Sequence, residues 1–267
     1  MQKIDLIQKP FAVTGRNAIF LVQELGRMAL FLSSGFFHIF SRPFQVEKIV
    51  TQVHFIGMKS VLLICLTGGF TGMVLGLQGY YTLVKFGAVG MLGPAVGLTL
   101  VRELGPVLTA IMITGRAGSA IAAEIGIMRI SEQIDALKTM DINPVRFLFS
   151  PRLAAALISF PLLTAIFNTV GIFGGFLTGS LLLGVSPGVY FAHMSTDISM
   201  ADIYGGFIKS FCFAVLVITI SCYQGYYTHL REEGFGARGV SLSTTSAVVI
   251  CSVAILAFDY LLTCFLL

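Results

Sequence analysis

Long charge-free runs alternate with short polar breaks along this chain. Residues 60–84, 153–196, 210–228 and 239–258 contain no Asp, Glu, Lys or Arg. Three of these four runs reach or pass the ~20 residues that carry a helix across ~30 Å of hydrocarbon. Backbone inside lipid must satisfy its own hydrogen bonds, so such runs are helices. The alternating ~10-residue segments of an outer-membrane barrel are absent. The pattern predicts an all-α integral membrane protein with about five spans, near 60–82, 92–123, 153–184, 204–228 and 241–265, forming a single domain. Gly68, Gly72 and Gly76 in the first span, and Gly171, Gly175 and Gly179 in the third, repeat every fourth residue. Each ladder presents a small-residue face on which another helix can sit closely.

Before the first span, residues 16–40 have a different period. Arg16, Gln23, Arg27, Ser34 and His38 stack on one helical face amid Ile19, Leu21, Val22, Leu25, Met28, Leu30 and Leu32. Glu24 and Arg27 would cost a few kcal/mol each at the centre of a bilayer. The segment therefore reads as an amphipathic helix lying in the interface. A polar link containing Arg42-Pro43 and Glu47-Lys48 joins it to the first span. Between the second and third spans, residues 124–150 are polar, with Asn143-Pro144 and Ser150-Pro151 as helix breakers.

Composition agrees with the pattern: 56% of residues are hydrophobic and 11% charged, with a mean hydropathy of +0.89. A soluble domain carries about a quarter charged residues. Basic residues set the orientation. With a cytoplasmic N-terminus, Lys3, Lys9, Arg42, Lys59, Arg129, Lys138, Arg146, Arg152, Arg231 and Arg238 lie inside, and Lys85 alone falls in an outer loop. The topology expected is N-in, C-out. No cleavable signal peptide is evident, because a mixed polar segment precedes the first hydrophobic stretch. The five cysteines lie inside apolar segments without C-x-x-C spacing and read as fillers rather than ligands. The four histidines form no cluster, and no metal site is expected.

Two nucleotide-binding lookalikes fail on context. Gly234-Phe-Gly236-Ala-Arg-Gly239 fits G-x-G-x-x-G but sits in a loop between spans without a βαβ unit. Gly205-Gly206-Phe-Ile-Lys209-Ser210 lacks the Gly-Lys pair of a P-loop. The informative charges are inside the membrane. Arg102 and Glu103 in the second span and Lys209 in the fourth all fall in its outer half. Ionisable groups there face a cavity or one another. One reading is a structural ion pair pinning two helices. The functional reading is a pocket for a charged headgroup, with Arg102 and Lys209 suited to a phosphate. Tyr80 and Tyr81 would then line its mouth or act as ordinary interfacial aromatics. On the cytoplasmic side, Ile134, Leu137 and Met140 can share one face of a short helix within 129–141, which reads either as a plug for a groove in a soluble partner or as a structured loop.

These segments together resemble the MlaE (YrbE) family of ABC transporter permeases. The resemblance rests on Gly72-Met-Val-Leu-Gly-Leu-Gln-Gly-Tyr80, Arg102-Glu-Leu-Gly-Pro106, Gly115-Arg-Ala-Gly-Ser-Ala120, Ala123-Glu-Ile-Gly126 and Met128-Arg129. Glu132-Gln133, Ser150-Pro151-Arg152, Pro161-Leu-Leu-Thr164 and Ile208-Lys-Ser210 extend it over nearly the whole chain. The loop Leu83-Val-Lys85-Phe86 departs from the family pattern. The resemblance implies a type II exporter-like fold in the bacterial inner membrane and a homodimer bound to two ABC ATPase subunits, which hold the ATP and Mg. It implies a STAS-domain protein, a ring of MCE-domain proteins and phospholipid cargo moving between the inner and outer membranes, with no nucleic acid involved. Arg102, Glu103 and Lys209, with Tyr80 and Tyr81, would be lipid-binding. Arg129, Glu132, Gln133, Asp135, Leu137 and Met140 would couple the chain to its ATPase. Two other readings make fewer matches. A lipid-modifying enzyme lacks a visible H-E-x-x-H, G-x-S-x-G or paired intramembrane Asp. An ion-coupled transporter should show two related halves with broken helices, and none is apparent.

Overall fold

The structure, a computed structural model, describes residues 19, 22–24, 26–37, 45–230 and 236–266. Arg16, His38, the Arg42-Pro43 dipeptide, Arg231 and Gly234 lie outside the described residues. Among the described residues every regular element is a helix. Five stretches are long and apolar enough to cross a membrane: Val46–Lys85, Val89–Ile130, Pro144–Leu182, Met200–Tyr226 and Gly236–Leu266. The protein is an all-helical integral membrane protein.

Several helices begin before the hydrophobic run does. The polar link expected ahead of the first span is helical over α2 (Val46–Ile56), and a turn at Gly57 leads into α3 (Val61–Lys85). The junction is held from the second span, where Arg116 donates to the Phe55 carbonyl at 2.7 Å and to Ser60 Oγ at 2.6 Å. Arg116 thus pins a bend in a neighbouring helix. Ser150-Pro151, expected to break the chain, lies inside α8 (Pro144–Phe176), which also continues through Pro161. Asn143-Pro144 starts that helix. The Asn143 side chain accepts from the Val145 and Arg146 amides, and Pro144 occupies the first turn, where it forfeits no hydrogen bond. A proline can sit in a membrane helix because neighbouring groups re-satisfy the freed carbonyls.

The second span is divided by two π-helical turns. It runs as α4 (Leu92–Thr99), a π turn at Leu100–Leu104, α5 (Gly105–Ile113), a second π turn at Thr114–Gly118 and α6 (Ser119–Ile130). Each π turn carries charge: Arg102 and Glu103 in the first, Arg116 in the second. Such turns are rare and concentrate at functional sites. A short α7 (Gln133–Thr139) follows, bracketed by left-handed backbone at Glu132 and Asp141, each with φ of 59°. Beyond α8 come α9 (Pro187–Ala192), α10 (Met194–Asp197), α11 (Met200–Tyr226) and α12 (Gly236–Leu266). A capping box between Ser199 and Asp202 starts α11.

The two glycine ladders meet each other. Gly68, Gly72 and Gly76 of α3 lie against Phe167, Gly171 and Gly175 of α8, advancing four residues together, so the two helices run parallel. At Gly72 an added Cβ would overlap the Gly171 carbonyl, which brings backbone against backbone. Gly179 leaves the ladder and packs on Leu92 and Tyr190. The end of α11 is enclosed on every side, buried continuously from Val217 to Gly225. In contrast, α12 buries only Gly239, Ser243, Ala247, Cys251 and Ile255, a single stripe of every fourth residue. Its remaining faces are open and apolar.

The N-terminal amphipathic segment is helical over residues 26–37 (α1), with 22–24 also helical. Its contact face differs from the expected polar stripe. Phe31 is buried, edge-on to Phe149 at 5.0 Å and to Tyr223 at 6.1 Å, and Ser150 Oγ donates to the Gly35 carbonyl at 2.9 Å. Glu24 accepts from the Tyr223 hydroxyl at 2.9 Å. Ile19, Val22, Leu30 and Phe37 face outward. The helix docks on α8 and α11 through one aromatic and one hydrogen-bonded carboxylate, and its apolar side is left for lipid.

Substitution at the ladder crossing separates packing from propensity. Gly72→Ala forces the helices apart and is expected to destabilise by about 1–3 kcal/mol, the range for overpacking. Gly69→Ala, whose Cβ would meet only Val170 at 3.6 Å, should be near neutral. Thermal unfolding of the two variants in one detergent checks this.

Candidate functional site

Three of the intramembrane charges expected to act together do so, with acidic partners that the sequence pattern did not assign. The π turn of the second span swings Arg102 and Glu103 toward α11 and α12. Lys209, only 2% exposed, places its Nζ 2.5 Å from Glu103 Oε2, 3.0 Å from Asp259 Oδ1 and 2.7 Å from Thr263 Oγ1. The Thr263 hydroxyl lies 3.3 Å from both Glu103 oxygens and donates to the Asp259 carbonyl at 2.8 Å. A lone ammonium in hydrocarbon would deprotonate or unfold the bundle. Two carboxylates and a hydroxyl supply what water would have supplied. Arg102 is anchored differently: its Nε donates to Asp202 Oδ1 at 2.6 Å, and Asp202 is itself fixed by the Ser199 capping box. Its side chain remains 40% exposed.

Of the two readings of these charges, Lys209 shows the ion pair that pins helices together. The cluster is not simply cationic, since Glu103, Asp202 and Asp259 outnumber Arg102 and Lys209. Lys209 is fully engaged, while Arg102, held through Nε, keeps a 40% exposed side chain on the cavity wall. The cavity lined by Arg102, Glu103, Asp202, Lys209 and Thr263 holds about 60 Å³ within one chain. That volume admits a few waters rather than a lipid headgroup. Tyr80 and Tyr81 do not line it. They meet edge to face at 5.9 Å near the end of α3, with Tyr81 exposed. Asp259 and Thr263 were missed because they belong to a span that reads as featureless. An acid seven residues from the end of that span was the available signal.

At the opposite end of the bundle, Arg129 binds three elements together. Its Nε donates to His229 Nδ1 at 2.9 Å, its Nη1 to Asp135 Oδ1 at 2.8 Å, and its guanidinium lies 5.9 Å from the Tyr226 ring. Lys138 reaches the same Asp135 oxygen at 3.1 Å. Hydrogen bonds from Lys138 and Arg129 hold the Asp135 carboxyl below its ordinary range. The expected apolar face of α7 is divided: Ile134 is buried in the chain, Leu137 is half-buried and Met140 is 69% exposed. Glu132 and Gln133 are exposed beside it. Met140, Glu132 and Gln133 are therefore open on the surface, while Arg129 and the half-exposed Asp135 pair with each other within the chain. Among the described residues no group of three or more His, Cys, Asp or Glu is placed to hold a metal ion.

Comparison with known proteins decides the family. The family model described as Permease MlaE matches residues 49–265. The chain belongs to the MlaE permease family. It is similar to the Intermembrane phospholipid transport system permease protein MlaE of Haemophilus influenzae, at 42% identity over 93% of this chain and 94% of that one. A Probable ABC transporter permease protein of Rickettsia bellii is 38% identical over 93% of this chain and 94% of its own length. Protein TRIGALACTOSYLDIACYLGLYCEROL 1, chloroplastic, of Arabidopsis thaliana is 36% identical over 80% of this chain and 60% of that protein. The MlaE match spans both charged ends of the bundle, so the Lys209 cluster and the Arg129 strap belong to the family region.

Removing the ammonium tests the cluster. Lys209→Met strands Glu103 and Asp259 and is expected to cost about 3–5 kcal/mol. Adding Glu103→Leu and Asp259→Leu should return part of that loss, read as melting temperature in a fixed detergent.

At the other end the His229 imidazole is held below its ordinary pKa of 6.5, chiefly by burial and then by the Arg129 charge. The unfolded chain therefore takes up a proton first as pH falls past 6.5, and the folded state loses stability from there until the folded imidazole also protonates. A melting-temperature series from pH 7.5 to 5 should fall more steeply for the native protein than for His229→Asn.

Proposed function

We propose that this chain is the permease half of an ATP-driven phospholipid transporter, embedded in a bacterial inner membrane with its N-terminus cytoplasmic and its C-terminus outside. The observation that carries the reading is Arg102. It is held by Asp202 through Nε, beside a lysine already neutralised, and its side chain stays 40% exposed on the cavity wall. Planar guanidinium donors suit a phosphate diester. The 60 Å³ cavity of one chain is too small for a headgroup, so the binding hollow is completed by a second copy. The open apolar face of α12, next to Asp259 and Thr263, is where that copy would close the space. The relatives named for phospholipid transport and as ABC permeases support the cargo and the energy source.

In this mechanism ATP and Mg stay in a separate ATPase chain. That partner grips the exposed Met140, Glu132 and Gln133 surface, with Leu137 at its edge. Arg129 ties α7 to the end of α11 through Asp135 and His229, so movement of α7 is passed to the helix that carries Lys209. Rocking α11 against the π turn of the second span narrows the hollow and expels the lipid. An MCE-domain ring on the outer face would receive it, and a STAS-domain protein would accompany the ATPase.

Replacing Arg102 tests this directly, because its exposed side chain can be removed without stranding Lys209. Arg102→Ala should lower co-purified phospholipid and reconstituted transport by roughly 10-fold or more, the scale of one charge-assisted hydrogen bond. Folding and partner binding should be retained. Unchanged lipid content and transport would refute the assignment.

A further inference from the structure

A second charged cavity lies at the other membrane interface, and the outer cluster does not account for it. It holds about 360 Å³ between α2, α6 and the start of α8. That is six times the volume beside Arg102 and within the range of small-molecule sites, ~300–1,000 Å³. Glu124, on its wall, follows Glu103 along the second span by about 30 Å at ~1.5 Å per residue, the thickness of the hydrocarbon layer. The two cavities therefore sit at opposite faces of the membrane.

The walls are unusual in their unmet hydrogen bonds. Arg152 is 4% exposed. Its Nη2 pairs with Glu124 Oε2 at 2.9 Å and its Nη1 donates to the Leu148 carbonyl at 2.7 Å, yet its Nε–H has no partner among the described residues. Gln52 presents a buried Oε1 that is likewise unpartnered. Two of the side chains that wall this cavity thus carry buried polar atoms without a partner among the described residues, a cost that ordinary packing does not leave. The charges are also mixed. Lys48 lies over the Phe147 ring, its Nζ 3.1 Å from the centroid, and Glu47 and Glu124 complete the lining. A simple anion would meet two carboxylates here, and a simple cation would meet an arginine and a lysine. A group carrying one charge of each sign suits both.

We propose that this cavity binds a zwitterionic phosphoamine headgroup, its phosphate toward the Lys48 and Arg152 wall and its ammonium toward Glu47 and Glu124. The site rests on the reading of the chain as a phospholipid permease and gives that reading a docking point in the leaflet opposite Arg102. Phosphoethanolamine attached to a membrane lipid and the soluble glycerophosphoethanolamine share this chemistry.

Photo-crosslinking in nanodiscs tests the site, using the full chain with the partners that co-purify and a phosphatidylethanolamine probe bearing a diazirine near its glycerol. Labelling is expected in residues 46–52 and 147–152, competed by unlabelled phosphatidylethanolamine and not by phosphatidylglycerol. Thr51→Trp, which blocks the mouth without touching the Arg152–Glu124 pair, should cut labelling about 10-fold, and Lys48→Gln serves if that variant fails to fold. Competition by soluble glycerophosphoethanolamine would show that the free phosphoamine is the ligand, and its failure to compete would show the membrane lipid is. No labelling, equal competition by phosphatidylglycerol, or labelling untouched by either variant would overturn the proposal and leave a water-filled cavity. Arg102→Ala separates the two sites. It should abolish probe labelling near residues 102 and 209 and spare 147–152, whereas a native protein labelled only at 147–152 would sink the outer reading and keep this one.

Discussion

An ammonium buried in an apolar bundle survives only as part of a salt. Lys209 is 2% exposed, and its contacts with Glu103, Asp259 and Thr263 tie three spans to one atom. Charges withdrawn from water contribute little net stability even when well paired, but removing one partner is severe. The cluster therefore specifies how α11, α12 and the second span sit together more than it stabilises them. Glu103 reaches Lys209 because a π turn adds a residue to the helix at that depth. The irregular backbone and the buried charge are two parts of one arrangement, and both leave Arg102 at the rim.

Much of this was legible in the sequence. Long apolar runs, four of them free of charge, reported five helices because lipid leaves the backbone no other option, and the glycine ladders reported close faces. That the two ladders pack on each other, Gly72 against Gly171, is a tertiary fact with no local signature. Arg102, Glu103 and Lys209 stood out because charges are rare in spans. Asp259 stood near the end of a span, where an acid reads as interfacial, and its role depends on a lysine fifty residues earlier. Phe31 carries no such signal in the sequence, but the pocket formed by Phe149 and Tyr223 made it the anchor of α1. The segment around α7 showed its apolar periodicity, but not that Ile134 faces inward while Met140 faces out.

The charged ends of the bundle are joined by α11. Lys209 lies near its start, and the Tyr226–His229 region, gripped by Arg129, follows its end. Its C-terminal third, Val217–Gly225, is buried on all sides, so a push at that end is passed to packed neighbours rather than absorbed by a loose segment. This is the physical route from α7 to the outer cluster, and it asks only that a packed helix move as a unit. The open stripe pattern of α12 leaves a broad apolar face beside Asp259, consistent with a hollow that one chain does not enclose.

A density map of the assembled transporter in a lipid nanodisc, at a resolution that shows side chains, tests the central claim most directly. The account predicts a phosphate within about 3 Å of the Arg102 terminal nitrogens, between two copies of the chain, with Lys209 still buried against Glu103 and Asp259. A map in which Arg102 is turned away from any lipid, or in which Lys209 itself contacts the headgroup and has left its carboxylates, would contradict it.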